Sequence, residues 1–201
     1  KIVLEYGMLT DEKFYEKAGD FMLYPTTDGK YYTLAELKEA IKAEQTDKNG
    51  TLVVLYAQNK EQQYTAIEEA KAKGYQVALL DSPIVSHLIQ KLEEKNEKLT
   101  FARVDAAPLS KLIQKDEPIL AKHSEEEKNT LKADIEKILP KEGYMVQIED
   151  LDSDDTPFVI NQPEFMRRMK EMSATGGGGM FGAFPEMYHV VVNANSPLAD
   201  A

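Results

Sequence analysis

Apolar runs and amphipathic stretches alternate regularly through the middle of the sequence. The run TLVVLYA, with its β-branched residues, predicts a strand that is buried on both faces. The amphipathic stretch after it ends at Gly74, a residue typical of the position just past a helix. The predicted order is strand 51–57, helix 60–73, strand 75–81, helix 83–96 and strand 101–105. Because strands that alternate with helices form right-handed crossovers, this pattern predicts a small parallel sheet in a three-layer αβα arrangement.

Helix-start signals lie on both sides of this predicted sheet. Thr33 followed by Glu36 is a capping-box pattern and predicts the start of a helix over TLAELKEAIKAE. Ser124 followed by Glu127 repeats the pattern at the start of a charged helix. The sheet is therefore expected to be preceded and followed by helices.

The chain before Thr33 predicts one further helix and a turn. Residues 11–24 place their apolar side chains on one helical face, with Thr10 or Asp11 as the capping residue. Asp28 and Gly29 then predict a turn, because glycine readily adopts the positive φ that many turns require.

After Gly143 the pattern changes to that of a small α+β unit. The stretches YMVQIED and PFVI flank the acidic turn DLDSDDT, and they predict an antiparallel hairpin. An amphipathic helix over 163–173 and a last strand over 187–193 complete the unit.

These patterns together predict an α/β fold followed by an α+β fold. The first domain, over 1–140, combines a helical segment with the small αβα part. The second domain, over 141–201, combines an antiparallel sheet with an amphipathic helix.

Methionine and phenylalanine cluster near the end of the chain, on both sides of four consecutive glycines. They are Phe165, Met166, Met169 and Met172 before the glycines and Met180, Phe181 and Phe184 after them. Methionine adapts to many partners, and ordering each glycine costs about 1–2 kcal/mol of backbone entropy. The pattern predicts a mobile apolar segment that binds exposed hydrophobic segments weakly. The alternative is an ordinary helix whose methionine stripe packs in the protein core.

Composition excludes several classes of function. The chain has 201 residues, no cysteine and a formal net charge of −11. Disulfides, thiolate metal sites and a cysteine nucleophile are therefore excluded, and nucleic acid is not an expected partner. No apolar run approaches the roughly 18–20 residues of a membrane span. Since the sequence starts without a methionine or a signal peptide, we expect a cytoplasmic protein and a piece of a longer one.

Motifs for nucleotide binding, metal binding and catalysis do not meet their structural requirements. The glycine-rich GGGMFG follows a predicted helix, whereas a dinucleotide fingerprint must follow a strand and open a helix. Asp150, Asp152 and Asp154 imitate half of a calcium loop, but the required glycine and final glutamate are missing. The three histidines stand far apart. No catalytic or metal-binding residue is predicted.

Seven stretches of the sequence resemble, in order, the heat-shock protein 90 family of molecular chaperones in its bacterial form. Those similar to the end of the family's middle domain are YGMLTDEKFYEKA, TTDGKYYTLAEL, LVVLYAQNKEQQ, AKAKGYQVALLD and FARVD. Those similar to the start of its C-terminal domain are DTPFVINQPEFMRRMKEM and YHVVVNANSPLAD. The resemblance covers nearly the whole chain.

The resemblance implies a stress-response protein: an ATP-dependent homodimer that binds and remodels unfolded or partly folded client proteins. In that family ATP and magnesium bind to an N-terminal domain, and the dimerisation helices follow the region matched here. This chain is therefore expected to be no enzyme by itself, to hold no cofactor and to be monomeric or weakly associating. The family's client contacts carry over here to Phe165, Met166, Met169, Met172, Met180, Phe181 and Phe184.

An alternative interpretation is a flavodoxin-like domain that binds a small molecule. Its ligand would lie beyond the carboxyl ends of the parallel strands, near residues 57–60, 81–84 and 105–108. The polar residues available there are Asn59, Asp81, Ser82 and Asp105. These loops offer no glycine-rich turn that could admit a phosphate.

Overall fold

A computed structural model describes residues 1–116, 119–175 and 187–200, with the backbone alone described at 164, 171–175 and 200. The chain divides into two compact units. The first comprises residues 1–104 together with 168–175, and the second comprises 105–167 together with 187–200 among the described residues. The predicted domain boundary near residue 140 remains a prediction.

The first unit contains the predicted parallel sheet. Its helices are α1 (Ile2–Thr10), α2 (Glu12–Ala18), α3 (Leu34–Gln45), α4 (Tyr64–Ala72) and α5 (Val85–Lys95). Its strands are β1 (Tyr24–Pro25), β2 (Tyr31–Tyr32), β3 (Leu52–Ala57), β4 (Val77–Leu79) and β5 (Leu99–Arg103). The three longer strands form a parallel sheet in the order β4-β3-β5, and β1 and β2 form a separate antiparallel pair. The predicted α/β class is confirmed.

The local signals in the sequence account for the ends of these elements. The Thr33 side chain accepts a hydrogen bond from the Glu36 amide, and the Glu36 carboxylate accepts one from the Thr33 amide, so the capping box is complete. Gly74 has a φ of 78° and follows the last turn of α4. Asp11 caps α2, as predicted, by accepting from the Phe14 amide.

The start of the chain differs from the prediction. Residues 2–10 form a helix that was not predicted, and the helix expected over 11–24 ends at Ala18 before a short 3-10 turn. The first helix has apolar residues on several sides, so it lacks the one-sided pattern that identifies a surface helix.

A large hydrophobic core lies in the first unit. It joins α1, α3, α5 and the sheet through fully buried side chains. They include Met8, Tyr24, Leu37, Ile41, Tyr56, Leu88, Ile89 and Leu92. Five of the six residues of β3 are buried, which confirms the strand predicted to be covered on both faces.

The second unit is built around a three-stranded mixed sheet. Its helices are α6 (Leu109–Leu112), α7 (Glu125–Ile138) and the first residues of α8 (Glu164–Thr175). Its strands are β6 (Tyr144–Glu149), β7 (Phe158–Asn161) and β8 (Tyr188–Asn193), in the order β6-β8-β7. A 3-10 turn, Pro197–Asp200, follows the last strand. The predicted α+β class is confirmed.

The hairpin predicted for β6 and β7 is wrong. The last strand lies between them: β8 pairs parallel with β6 and antiparallel with β7. Helix α7 starts at the predicted capping box of Ser124 and Glu127. Its residues Leu131 and Ile135 pack on the face of the sheet formed by Val146, Val190 and Val192.

Two buried asparagines organise the loops of the second unit. The Asn193 side chain accepts from the amides of Leu151 and Asn195 and donates to the carbonyl of Asp152. The Asn195 side chain donates to the carbonyls of Leu120 and Leu151 and accepts from a further backbone amide. Both side chains are almost completely buried. They therefore tie the acidic turn and the segment before α7 to the end of β8.

No helix in the described part of the chain is long and apolar enough to cross a membrane.

Candidate functional site

Helix α8 carries the predicted apolar stripe, and its first residues can be placed. Phe165 is 72% exposed, whereas Met166 and Met169 are partly buried. The backbone of Met172 is helical, but its side chain is not described. Met180, Phe181 and Phe184 lie outside the described residues. The exposed ring of Phe165 favours a surface role at that position, and the part of all seven residues in client binding stays a prediction.

Two arginines on α8 are in close contact with the rest of the protein: one is buried, and the other has two hydrogen-bond partners. Arg167 is only 5% exposed. The Arg168 guanidinium donates to the Glu93 carboxylate at 3.1 Å and to the carbonyl of Phe101 at 2.7 Å. The other oxygen of Glu93 accepts from the Phe101 amide at 2.7 Å. A charge-assisted network of this kind fixes the helix through its polar side.

Sequence reasoning missed this anchoring role. In the sequence, Arg167 and Arg168 lie beside the apolar stripe of the helix, and nothing next to them indicates a fixed partner. The partners of Arg168, Glu93 and Phe101, are more than sixty residues away in sequence. No local pattern indicates such a contact, so only the fold reveals it.

An exposed apolar pair lies on β7, just before α8. Phe158 is 59% and Ile160 is 53% exposed, although each is opposite a buried valine of β8. Residues two apart in a strand share one face of the sheet. The apolar run PFVI was the available signal, but a continuous apolar run does not show which face of a strand is uncovered.

Several polar residues at the ends of the parallel strands bind other groups of the protein. The Asn59 side chain accepts from the amides of Glu61 and Gln62 at the start of α4. The Lys60 ammonium donates to the carbonyl of Thr27, and Asp81 forms an ion pair with Lys1. These contacts use the groups that a flavodoxin-like ligand would need, and they give that alternative no support.

The acidic turn is also engaged internally. The Lys128 ammonium binds the carboxylate of Asp150, and the neighbouring carboxylate of Asp155 accepts from the amide of Ser110. Within the ranges that the structure describes, no group of three or more His, Asp or Glu residues is arranged to hold a metal ion.

A polar cluster joins α2 to α5 beside a groove of about 320 Å³. The Glu12 carboxylate pairs with the ammonium groups of Lys91 and Lys95. Both ammonium groups lie over the ring of Tyr15, at 5.6 and 5.9 Å from its centroid. Hydrogen bonds from Lys91 and then Lys95 lower the pKa of Glu12, and burial raises the pKa of Tyr15.

This cluster predicts a specific dependence of stability on acid. The pKa of Glu12 is lowered in the folded state. The ion pairs of Glu12 therefore contribute to folding stability above its unfolded-state pKa of about 4.3. The contribution is lost as pH falls through the lower, folded-state pKa. In thermal melts, the Tm difference between the native chain and Glu12→Gln should therefore be larger at pH 6 than at pH 3. Glu61→Gln is the control, since Glu61 has no ion pair among the described residues, and an equal pH effect for both variants would contradict the prediction.

Known proteins of similar sequence match the chain over nearly its whole length. The chaperone protein HtpG of Porphyromonas gingivalis is 42% identical over 204 residues, covering 100% of this chain and 30% of that protein. The HtpG of Bacteroides fragilis is 41% identical, covering 98% of this chain and 30% of that protein. The HtpG of Bacteroides thetaiotaomicron is 40% identical with the same coverage. The chain thus spans about three tenths of the length of the curated relatives it matches.

Two other comparisons add little. No protein-family model matches the chain. The solved middle domain of a Plasmodium falciparum heat shock protein matches 52% of this chain and 43% of its own, at 22% identity and a TM-score of 0.39. That likeness is too weak to support an argument about the fold.

The relatives nevertheless confirm the resemblance found in the sequence: over 98–100% of its length, this chain is similar to a region of chaperones of the heat-shock protein 90 type. Within that family, the proteins it matches are of the bacterial HtpG type.

Proposed function

We propose that this chain is part of an ATP-dependent molecular chaperone that binds and remodels unfolded or partly folded client proteins. The relation to HtpG proteins over the full length of the chain supports a chaperone role. The contribution proposed for this region is a scaffold together with a hydrophobic surface that contacts clients. ATP and magnesium would bind outside this region, and the full-length protein would be a cytoplasmic homodimer.

One observation carries the proposal: the phenylalanine at the start of helix α8 is exposed to solvent. Phe165 is 72% exposed, although it belongs to the apolar stripe of an amphipathic helix. Leaving a phenyl ring in water forgoes about 1.5–3 kcal/mol of burial energy. A helix that presents such a ring is suited to contact apolar segments of another chain.

The expected affinity is low. If a client contact buried about 400 Å² of apolar surface, the gross gain at roughly 25 cal/mol per Å² would be about 10 kcal/mol. Association costs of about 4–15 kcal/mol leave micromolar or weaker binding. Weak binding allows a chaperone to release what it holds.

Replacing the exposed ring should weaken client binding about tenfold. In a titration with a labelled, permanently unfolded polypeptide, Phe165→Ser should lose about 1.4 kcal/mol of binding free energy, part of the burial energy of one phenyl ring. The loss should change little between low and moderate salt, because the contact is apolar. Phe165 is preferred to Met169 as the test position, since Met169 is partly buried and its loss would also disturb packing.

The control is Phe21→Ser, which removes an 80% exposed phenylalanine from the first unit. It should bind the unfolded polypeptide as the native chain does. Equal weakening by both variants would show general surface hydrophobicity rather than a site on α8. No weakening by Phe165→Ser would place client contact elsewhere.

A further inference from the structure

We propose that the outer edge of β7 binds an extended apolar segment of a client polypeptide as an added strand. This inference rests on the proposed function, because it supplies a second place where the same unfolded chain is held. The occupant is a short extended stretch with alternating apolar side chains and a basic residue at one end.

Among the described strands, β7 lies at one edge of its sheet. In the order β6-β8-β7, the strand pairs with β8 on one side, and no described strand pairs with the other side. A strand edge of this kind is a template for adding another strand through backbone hydrogen bonds.

The register shows which backbone groups face outward. The Asn193 amide donates to the carbonyl of Pro157 at 2.8 Å. The carbonyl of Pro157 therefore faces β8. Because hydrogen-bonded and non-hydrogen-bonded pairs alternate in an antiparallel ladder, Val159 also bonds to β8. The amides and carbonyls of Phe158 and Ile160 therefore point away from β8. No described residue forms a hydrogen bond with these outward groups.

The side chains define the chemistry of the occupant. Phe158 and Ile160 share the face that includes Val190 and Val192, on which α7 packs. The helix covers the valines, yet Phe158 and Ile160 stay more than half exposed. A strand added at this edge would continue the same apolar face if every second side chain were apolar.

Charge and position further specify the partner. Asp152 and Asp154, both exposed, lie in the turn that leads into β7. A lysine or arginine at the corresponding end of an added strand would therefore be attracted to the amino end of β7. At the other end, the exposed Phe165 of α8 follows β7 by only a few residues, so both proposed contacts belong to one stretch of chain.

Amide hydrogen exchange with a designed peptide tests the inference. The probe is a short peptide in which isoleucine and valine alternate with threonine, with two lysines at one end. Saturating peptide should slow exchange at the amides of Phe158 and Ile160 by about tenfold or more, because they gain hydrogen bonds. The Val159 amide, already bonded to β8, should change little. The same peptide with N-methylated backbone amides is the matched control and should give no protection.

A proline variant separates backbone pairing from side-chain contact. Ile160→Pro removes the outward amide, which β8 does not use, and should weaken peptide binding about fivefold relative to Ile160→Ala. If Ile160→Pro does not fold, the exchange result on the native chain decides. Equal binding by the N-methylated peptide, or protection confined to other residues, would overturn the inference.

The two proposals fail in different ways. If Phe165→Ser weakens binding of the unfolded polypeptide but Phe158 and Ile160 gain no protection, client binding stands and the added strand is wrong. If the native chain binds no unfolded polypeptide at all, the proposed function itself is wrong, and strand addition by clients is wrong with it.

Discussion

Replacing Asn195 by leucine should lower the free energy of unfolding of the second unit by about 2–6 kcal/mol. The side chain is 3% exposed and donates to the carbonyls of Leu120 and Leu151 at 3.0 and 2.9 Å. It also accepts from the amide of Lys122 at 3.1 Å. Leucine has a similar volume but leaves all three backbone groups without their partner. The carbonyl of the buried Leu151 is left unsatisfied at a cost of about 1–3 kcal/mol. Leu120 and Lys122 are exposed, so the loss of their hydrogen bonds costs about 0.5–1.5 kcal/mol each.

The measurement is urea unfolding followed by a probe in the second sheet. The control is Asn129→Leu on the exposed surface of α7, which should change stability by less than about 0.5 kcal/mol. A loss for Asn195→Leu close to that of the control would show that the asparagine network does not hold these loops.

Shortening Leu88 to alanine should destabilise the first unit by about 2–5 kcal/mol. The side chain is completely buried in the core that joins α1, α3, α5 and the sheet. Such a change loses the transfer energy of the deleted carbons and leaves a cavity that a close-packed core cannot fill completely. The cost therefore exceeds that of deleting an exposed leucine.

Thermal unfolding monitored in the first unit would measure the effect. Leu23→Ala provides the comparison, since Leu23 is 52% exposed and belongs to the same unit. The Leu88 variant should melt several degrees lower than the Leu23 variant. Similar Tm values for the two would mean that the core tolerates the cavity by collapsing around it.

The fold of the first unit could largely be predicted from the sequence, because its signals are local. The burial of β3, the capping box at Thr33 and the positive φ at Gly74 each follow from a few neighbouring residues. Helix α1 was missed because its apolar residues do not keep to one side. A surface helix is identified from its pattern only when its apolar residues keep to one face.

The second unit was harder because its pairing is not local. The pattern identified the stretches that became β6, β7 and β8, but not that β8 lies between the other two. Two strands separated by a turn usually pair, and nothing near the turn indicates a third strand from later in the chain.

The candidate site, too, could be predicted only in part from the sequence. The sequence placed Phe165 on an amphipathic helix, and the structure shows that its ring is exposed. The anchoring of that helix depends on Arg168 meeting Glu93, a contact between distant parts of the sequence. Likewise, the exposed face of β7 becomes visible only once the sheet order is known.

The central place of the last strand has a consequence for the newly made chain. Strands β6 and β7 both pair with β8, so on the ribosome neither has its neighbour until residues 188–193 have been synthesised and have left the exit tunnel. The sheet β4-β3-β5, by contrast, needs nothing beyond Arg103. Translation therefore delivers a complete first sheet while the apolar strands of the second wait unpaired, and in that interval this region resembles the incompletely folded chains that chaperones bind.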